Sequence, residues 1–254
     1  MSKINSIGIV GTGKAAHFFS GLFNSHNIPI QFIAGRNQQS GMSLASKVNS
    51  VYYSLEQDLP QCDLILLAVK DDALPEIADI IVDSEAVFAH CAGSVSIDVL
   101  RKFKRNAVIY PLQSLSDNTN PAEVPLLIEG NSSEVESLLI STMQTLGMNH
   151  RLVNSEKRLH YHLAAVFANN FSNAILTATS EVGKMYQLEF ELLKPLISAT
   201  YRKVLDGADP KAVQTGPAVR GDMKTMDKHL QMLEHRSDLK LLYKAISSFL
   251  KSES

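Results

Sequence analysis

What this chain lacks narrows its function first. It has two cysteines in 254 residues, Cys62 and Cys91, at a spacing that fits neither a zinc site nor a redox pair. That excludes a disulfide-held secreted scaffold and implies no metal. Two small buried thiols suit a reducing cytoplasm, which is the expected location. Formal net charge is only −2, so no strong field draws the chain to nucleic acid or to a membrane surface. No apolar run approaches the ~20 residues that span a bilayer. Met1 to Asn5 leads straight into a strand-like run, with no signal-peptide pattern. There is no internal repeat, low-complexity tract or Pro/Gly/Ser-rich linker. One absence is local: no carboxylate occurs between Gln31 and Gln39.

What is present begins at Ser6, with SIGIVGTGKAA. Ile7, Ile9 and Val10 read as a buried strand, and a helical pattern follows from Lys14 to Ser25. Between them Gly11, Gly13 and Ala16 spell G-x-G-x-x-A, the dinucleotide fingerprint with alanine in third place. The first glycine permits the tight turn, the second lets a pyrophosphate approach the backbone, and the small third residue lets helix and strand pack closely. Free N–H groups and the dipole at the helix start favour phosphate charge. Gly11, Thr12, Gly13, Lys14 and Ala15 are therefore candidate cofactor residues. Gly8 to Lys14 also spells the start of a P-loop, G-x-x-x-x-G-K. That motif needs Ser or Thr next for magnesium, and Ala15 stands there; a phosphotransferase reading falls with it.

The missing carboxylate selects the dinucleotide. An NAD-binding domain usually ends its second strand, roughly 20 residues past the glycines, with an Asp or Glu on the ribose 2′-hydroxyl. After Ile30–Ala34 this chain has Gly35-Arg36-Asn37. An arginine can pair with a 2′-phosphate through a charge-assisted fork, and an asparagine can donate to it. The cofactor expected is NADP(H), held in part by Arg36 and Asn37.

Up to about Val153 strands and helices alternate. The strands read are Ile4–Val10, Ile30–Ala34, Val51–Tyr53, Leu64–Val69, Ala86–His90 and Ala107–Tyr110; the helices are Lys14–Ser25, Gln39–Lys47, Asp72–Val82 and Ile97–Phe103. This pattern predicts an α/β fold with a doubly wound, Rossmann-type parallel sheet. Val124–Ile128, a helix over Ser133–Leu146 and His150–Val153 extend it. From Asn154 strand signals vanish. One long helix, capped by Asn154 or Ser155, is expected from Ser155 to about Gln187, roughly 50 Å at 1.5 Å per residue. Helices over Glu189–Leu205, Met223–Leu233 and Leu239–Leu250 follow. The division is a cofactor domain over 1–153 and an all-helical domain over 154–254 for substrate and dimerisation. A homodimer is expected.

Ligands of open parallel sheets bind beyond the carboxyl ends of the strands. Three such ends are informative: Ala68-Val69-Lys70-Asp71-Asp72, His90-Cys91-Ala92-Gly93-Ser94 and Tyr110-Pro111-Leu112-Gln113-Ser114. Val69, Lys70, Asp71, Ala92 and Gly93 are assigned to the cofactor, with small residues letting a nicotinamide lie against the backbone; Ser94 and Gln113 are assigned to substrate. On the long helix, His162, Asn169 and Asn170 are polar groups among apolar neighbours, costly to bury without partners. His162 and Asn169, seven residues apart, share nearly one face, and Asn170, rotated about 80° further, stays within reach of a common cleft. His160 and His162 point nearly opposite ways and make no metal pair. Last, Thr215-Gly-Pro-Ala-Val-Arg220-Gly-Asp222 is a Gly-Pro loop between helices. Arg220 can pair with Asp222 or with a ligand carboxylate, and Thr215 joins it as a substrate residue.

These motifs together resemble a family. The chain is similar over essentially its whole length to two-domain bacterial proteins labelled NADP oxidoreductases, sometimes "deazaflavin coenzyme-dependent", which join a Rossmann-like domain to a helical domain of unknown function. The likeness rests on the N-terminal glycines, His90–Ser94, Pro111–Ser114, Glu129-Gly130-Asn131, His162–Phe171, Thr215–Asp222 and His229. The family belongs with 6-phosphogluconate dehydrogenase, hydroxyisobutyrate dehydrogenase, ketopantoate reductase and pyrroline-5-carboxylate reductase. The resemblance implies a helical domain like the 6-phosphogluconate dehydrogenase C-terminal one, NADP as cofactor and hydride chemistry on a small substrate. In ketopantoate reductase the matching helix carries a catalytic Lys, an Asn one turn on and a second Asn eight residues after the Lys. Here His162, Val166 and Asn170 stand at those places, so the substrate differs. A histidine can still give a proton near neutrality.

The expectation is an NADP(H)-dependent oxidoreductase acting on a small polar carbonyl, hydroxyl or imine. His162 is the proton donor or acceptor, Asn170 orients the substrate and Arg220 binds an acidic group on it. The missing lysine keeps a second reading open: a non-catalytic NADP(H)-binding sensor or regulatory protein.

Overall fold

β1 (Ile7–Val10), β2 (Ile30–Ala34), β3 (Tyr52–Tyr53), β4 (Leu64–Leu67), β5 (Val87–His90), β6 (Asn106–Pro111), β7 (Leu126–Gly130) and β8 (His150–Leu152) form one sheet in the order 3-2-1-4-5-6-7-8. The structure is a computed structural model describing residues 3–252; Met1 and Ser2, read as leading into the first strand, lie outside them. Neighbouring strands run parallel except β6 and β7. β1, β4 and β5 are buried along their whole length, as strands covered by helices on both faces must be.

Alternate residues of the sheet feed two cores. Ile7 and Ile9 face α1 (Lys14–Ser25), α2 (Gln38–Lys47) and α4 (Ser133–Thr145), which contribute Phe19, Phe23, Leu44 and Leu139. Val10 and Phe32 face α3 (Leu74–Ile80), with its Leu74 and Ile77. Gly8 belongs to β1 itself; a Cβ there would lie 2.1 Å from Phe32 Cζ. Its glycine therefore answers to packing, not to a phosphate loop. The helix expected over Asp72–Val82 is shorter, a 3-10 turn at Asp71–Ala73 followed by α3, and Ile97–Leu100 is only a 3-10 turn. There Ser96 Oγ accepts from Asp98 N at 3.2 Å, a local bond that competes with helix extension.

After β8 the chain enters α5 (Ser155–Ala165), capped by Asn154 Oδ1 on Lys157 N at 2.8 Å. The helix expected to run unbroken from Ser155 is interrupted at Val166–Phe171 by a π-helical segment. Such segments carry an extra residue per turn and recur at functional sites. The chain falls into two compact units, dividing between Phe171 and Ser172. The first holds the sheet, α1–α5 and the π segment.

The second unit holds α6 (Ser172–Met185), α7 (Lys194–Leu205), α8 (Met223–Met232) and α9 (Ser237–Ser252). Tyr186 Oη donates to Met232 O at 2.7 Å, His229 Nδ1 lies 3.0 Å from Tyr243 Oη, and Arg236 bridges Glu181 and Asp238. Its buried apolar side chains are few, Met226, Leu233 and Leu239 among them, while Leu192, Leu205 and Leu241 are 74%, 83% and 70% exposed. No helix among the described residues is long and apolar enough to cross a membrane.

Candidate functional site

The order 3-2-1-4 makes the chain reverse direction across the sheet between β1 and β4, and a crevice opens at their carboxyl ends. A cavity of about 430 Å³ occupies it, lined by Gly11, Thr12, Gly13, Lys14 and Ala15 after β1, by Arg36 and Asn37 after β2, and by Val69 and Lys70 after β4. Gly11 has φ +126°, and a Cβ there would lie 2.1 Å from Ala68 O. Only glycine can make this turn. Its N–H donates to Ala34 O at 2.7 Å, fastening the loop to β2.

Gly13 is different. It caps α1 in extended geometry, with no side chain capping the helix and no acidic residue in its first turn. A Cβ at Gly13 would meet nothing within 4 Å. The protein does not need a glycine here for its own packing. Open space in front of uncapped N–H groups fits a phosphate group, and so fits the pyrophosphate of a dinucleotide. Arg36 is exposed beside this cavity. Asn37 caps α2, its Oδ1 accepting from Ser40 N at 2.9 Å, and its amide nitrogen remains a donor.

A second cavity, about 660 Å³, lies at the ends of β6 and α5 and is lined by Tyr110, Gln113, Tyr161, His162, Asn169 and Asn170 together with small and apolar neighbours. His162 lies in the last turn of α5, Asn169 and Asn170 lie in the π segment, and all three line this cavity, as the helical spacing predicts. Tyr110 Oη and His162 Nδ1 are 3.1 Å apart, ring edge to ring face with centroids 5.9 Å apart. Both press on Gly93 at the end of β5: a Cβ there would lie 2.7 Å from His162 Nδ1 and 2.8 Å from Tyr110 Cζ. Ser94 Oγ donates to Asp71 Oδ2 at 2.7 Å, tying the β5 loop to the β4 loop. Burial, and then the charge of Asp71, push the Tyr110 phenol above its usual range, with Arg158 opposing. Tyr110 thus stays protonated.

Behind the pair lies a buried polar node. Arg158 of α5 is fully buried and pairs with Glu129 of β7; its second amino group donates to Val95 O and to Ser155 Oγ, the latter at 3.1 Å. Ser155 in turn gives N–H and Oγ–H to the two Glu129 oxygens at 2.9 and 2.8 Å and accepts from Ile97 N at 3.0 Å. One ion pair and one hydroxyl thus fix α5, and with it His162, against β7 and the β5 loop. His90 is buried at the end of β5. Burial, then the nearby Arg158 charge, lower its pKa to about 4, so it is neutral, and its Nδ1 accepts from Ala92 N at 3.1 Å.

The structure therefore gathers Gly11–Ala15, Arg36, Asn37, Val69 and Lys70 at one cavity and Gln113, His162, Asn169 and Asn170 at another, with Asp71, Ala92, Gly93 and Ser94 on the same sheet edge. Thr215 and Arg220 belong to the second unit, in the loop before α8, where Asp222 caps that helix through Thr225 N and Oγ1 at 3.0 and 2.7 Å. Tyr110 and Arg158 were not among the candidates read from sequence. Tyr110 carried one usable signal, a polar aromatic closing a strand. Arg158 carried none, being one charge in a helix start rich in charge. Among the described residues no cluster of three His, Cys, Asp or Glu could hold a metal ion.

A protein from Bacteroides fragilis described as a "putative NADP oxidoreductase" is 32% identical, with 98% of each chain covered and a TM-score of 0.90. This chain belongs to that two-domain NADP oxidoreductase family. The family pairs the Rossmann-type sheet with a helical unit, and a family model described as a domain of unknown function, DUF2520, matches residues 124–249. The fold is shared more widely. A Thermotoga maritima protein is 24% identical over 97% of each chain, with a TM-score of 0.72. An imine reductase from Myxococcus stipitatus, solved with NADP+, is 13% identical over 97% of this chain and 93% of its own, with a TM-score of 0.66. No curated protein matches the chain.

Proposed function

We propose that this family member is an NADP(H)-dependent oxidoreductase that moves hydride to or from a small polar carbonyl, hydroxyl or imine. The observation that carries the reading is the open, uncapped start of α1 at Gly13, next to Arg36 and with no carboxylate at the end of β2. The Myxococcus imine reductase and an Aspergillus terreus reductive aminase solved with NADPH share the fold and lend weight to a C=N substrate. In this reading Gly11–Ala15 hold the pyrophosphate, Arg36 and Asn37 the 2′-phosphate, and Ala92–Gly93 the nicotinamide. His162 holds the proton that reduction consumes, and Asn170 orients the substrate. Thr215 and Arg220, in the second unit, are the residues this reading assigns to an acidic group of the substrate.

The deciding experiment is a pair of dissociation constants, NADPH and NADH at one fixed salt, for wild type and Arg36→Ala. Wild type should prefer NADPH. The variant should lose at least about tenfold for NADPH, the weight of one charge-assisted contact of about 1.5–3 kcal/mol, with little change for NADH. Equal losses, or tighter NADH binding by wild type, overturn the selectivity.

A non-catalytic sensor has one observation in its favour: His162 and Val166 stand where ketopantoate reductase has its lysine and first asparagine. Tight NADPH binding with no consumption across a panel of carbonyls and imines would select it.

The homodimer belongs to the same proposal. The second unit exposes large apolar side chains on α7 and α9 and buries few, more than a lone surface leaves to water. A second copy of this chain, adding a matching apolar face, is the partner this surface fits. Sedimentation equilibrium should return twice 27.9 kDa; a lone 27.9 kDa species at micromolar concentration overturns it.

A further inference from the structure

We propose that Tyr110 is the catalytic proton donor of this site and that protonation of His162 arms it. The inference rests on the reductase reading above and adds a residue and an order of events to it. Both side chains line the same cavity, both lie against Gly93, and Tyr110 Oη is 3.1 Å from His162 Nδ1.

The number of hydrogens each group owns decides what the pair can do. A phenol has one hydrogen to donate and two lone pairs to accept with. When His162 is neutral with its hydrogen on Nε2, the Nδ1 lone pair takes the phenol hydrogen and nothing is left for a ligand. When His162 is protonated, Nδ1 becomes a donor and occupies an oxygen lone pair instead. The hydrogen bond reverses, and the phenol hydrogen turns out into the cavity. One protonation at His162 thus switches Tyr110 from a donor to the protein into a donor to substrate.

The pairing also solves a problem of acidity. Burial and Asp71 hold Tyr110 protonated, so alone it is a weak acid and a poor general acid. Reduction of C=O or C=N adds to carbon the hydride that bound NADPH supplies, leaving NADP+, and needs one proton on oxygen or nitrogen. Tyr110 gives that proton as its O–H bond breaks. The proton on His162 Nδ1 moves to the tyrosine oxygen in the same event, so no phenolate accumulates. Neutral His162 then recovers a proton from solvent. The charges that act on Tyr110 are Asp71 from the β4 loop and Arg158 on α5; Tyr161 lines the same cavity, and His90 lies behind, neutral and joined to the Ala92 N–H. Asp71 is engaged by Ser94, and Arg158 by Glu129, so neither is a competing donor.

The test uses the whole chain labelled with 15N-histidine, with NADPH bound, and the variants Tyr110→Phe and His162→Gln, the latter also assigning the His162 signals. At alkaline pH the wild-type His162 should show an accepting Nδ1 and a hydrogen on Nε2; in Tyr110→Phe the two tautomers should mix. With 2-methyl-1-pyrroline as probe, wild-type kcat should fall as pH rises through the His162 titration seen in the same spectra. Tyr110→Phe should lose about 100-fold or more in kcat and His162→Gln at least about tenfold, the range of general acid catalysis, each keeping NADPH affinity within about twofold. Identical His162 nitrogen signals in wild type and Tyr110→Phe overturn the proposal, as does Tyr110→Phe turning over at the wild-type rate. A wild type that binds no NADPH, or consumes none across the panel of carbonyls and imines, overturns the reductase reading instead, and the nitrogen spectra then decide the pair.

Discussion

Gly13→Val will abolish NADPH binding and leave the protein folded. A Cβ at this position meets nothing within 4 Å beyond its own chain neighbours and the adjoining helix backbone, so the three extra carbons enter the space in front of α1 and not a packed core. Backbone φ is −86° and ψ −173°, extended geometry that valine adopts freely. Replacing glycine at a helix cap by valine costs about 1 kcal/mol, a drop in Tm of ~2–4 °C for a domain of this size. The ligand side is far more severe. A pyrophosphate needs the N–H groups at the helix start within hydrogen-bond reach, and a branched side chain holds it off. Affinity should fall at least about 100-fold, equivalent to about 2.8 kcal/mol. Titration of NADPH fluorescence, with a thermal melt alongside, measures both. Unchanged affinity would reduce Gly13 to a feature of the backbone and remove the main support for the cofactor reading.

Arg158→Met will destabilise the sheet-bearing unit by about 3–5 kcal/mol, the cost of breaking a buried ion pair by removing one partner. Glu129 would keep its charge with only the Ser155 N–H and hydroxyl to stabilise it, and Val95 O would lose a donor. The double variant Arg158→Met/Glu129→Gln should recover much of the loss, because no buried charge is then left unpaired. Urea unfolding of the three proteins at pH 7 checks this, and a single variant within 1 kcal/mol of wild type would show the pair to be dispensable. His90 adds a pH signature. Its pKa is lowered to about 4 in the folded chain against about 6.5 unfolded. The unfolded state therefore binds more protons between these values, and stability falls as pH drops from ~6.5 to ~4, by on the order of 3 kcal/mol. Arg158→Met removes one of the two causes of that shift, so this part of the acid loss should shrink in the variant.

Much of the fold was legible because short apolar runs and helical spacing are local properties. β2 and α1 match their expected spans, and the glycine turn after β1 could be placed from three residues. The fold class follows from alternation alone. Element ends were less legible where a side chain decides them, as at Ser96, which holds a 3-10 turn where a helix was read. The π segment at Val166–Phe171 left no mark in composition, since VFANN suits an α-helix as well.

The sequence by itself determined the sheet, the glycine loop and the choice of Arg36 over a carboxylate, because each depends on residues adjacent in the chain or at a set distance along it. Tertiary structure alone decided what His162 touches. Its partner Tyr110 is 52 residues away, and the glycine that makes room for both is on a third element. Arg158 reaches Glu129, 29 residues before it, and Val95, 63 before it. Such pairings arise where strands far apart in sequence end on one edge of a sheet, and no local pattern encodes them. The chemistry of a histidine depends on which nitrogen meets which neighbour, and that is settled only when the chain has folded.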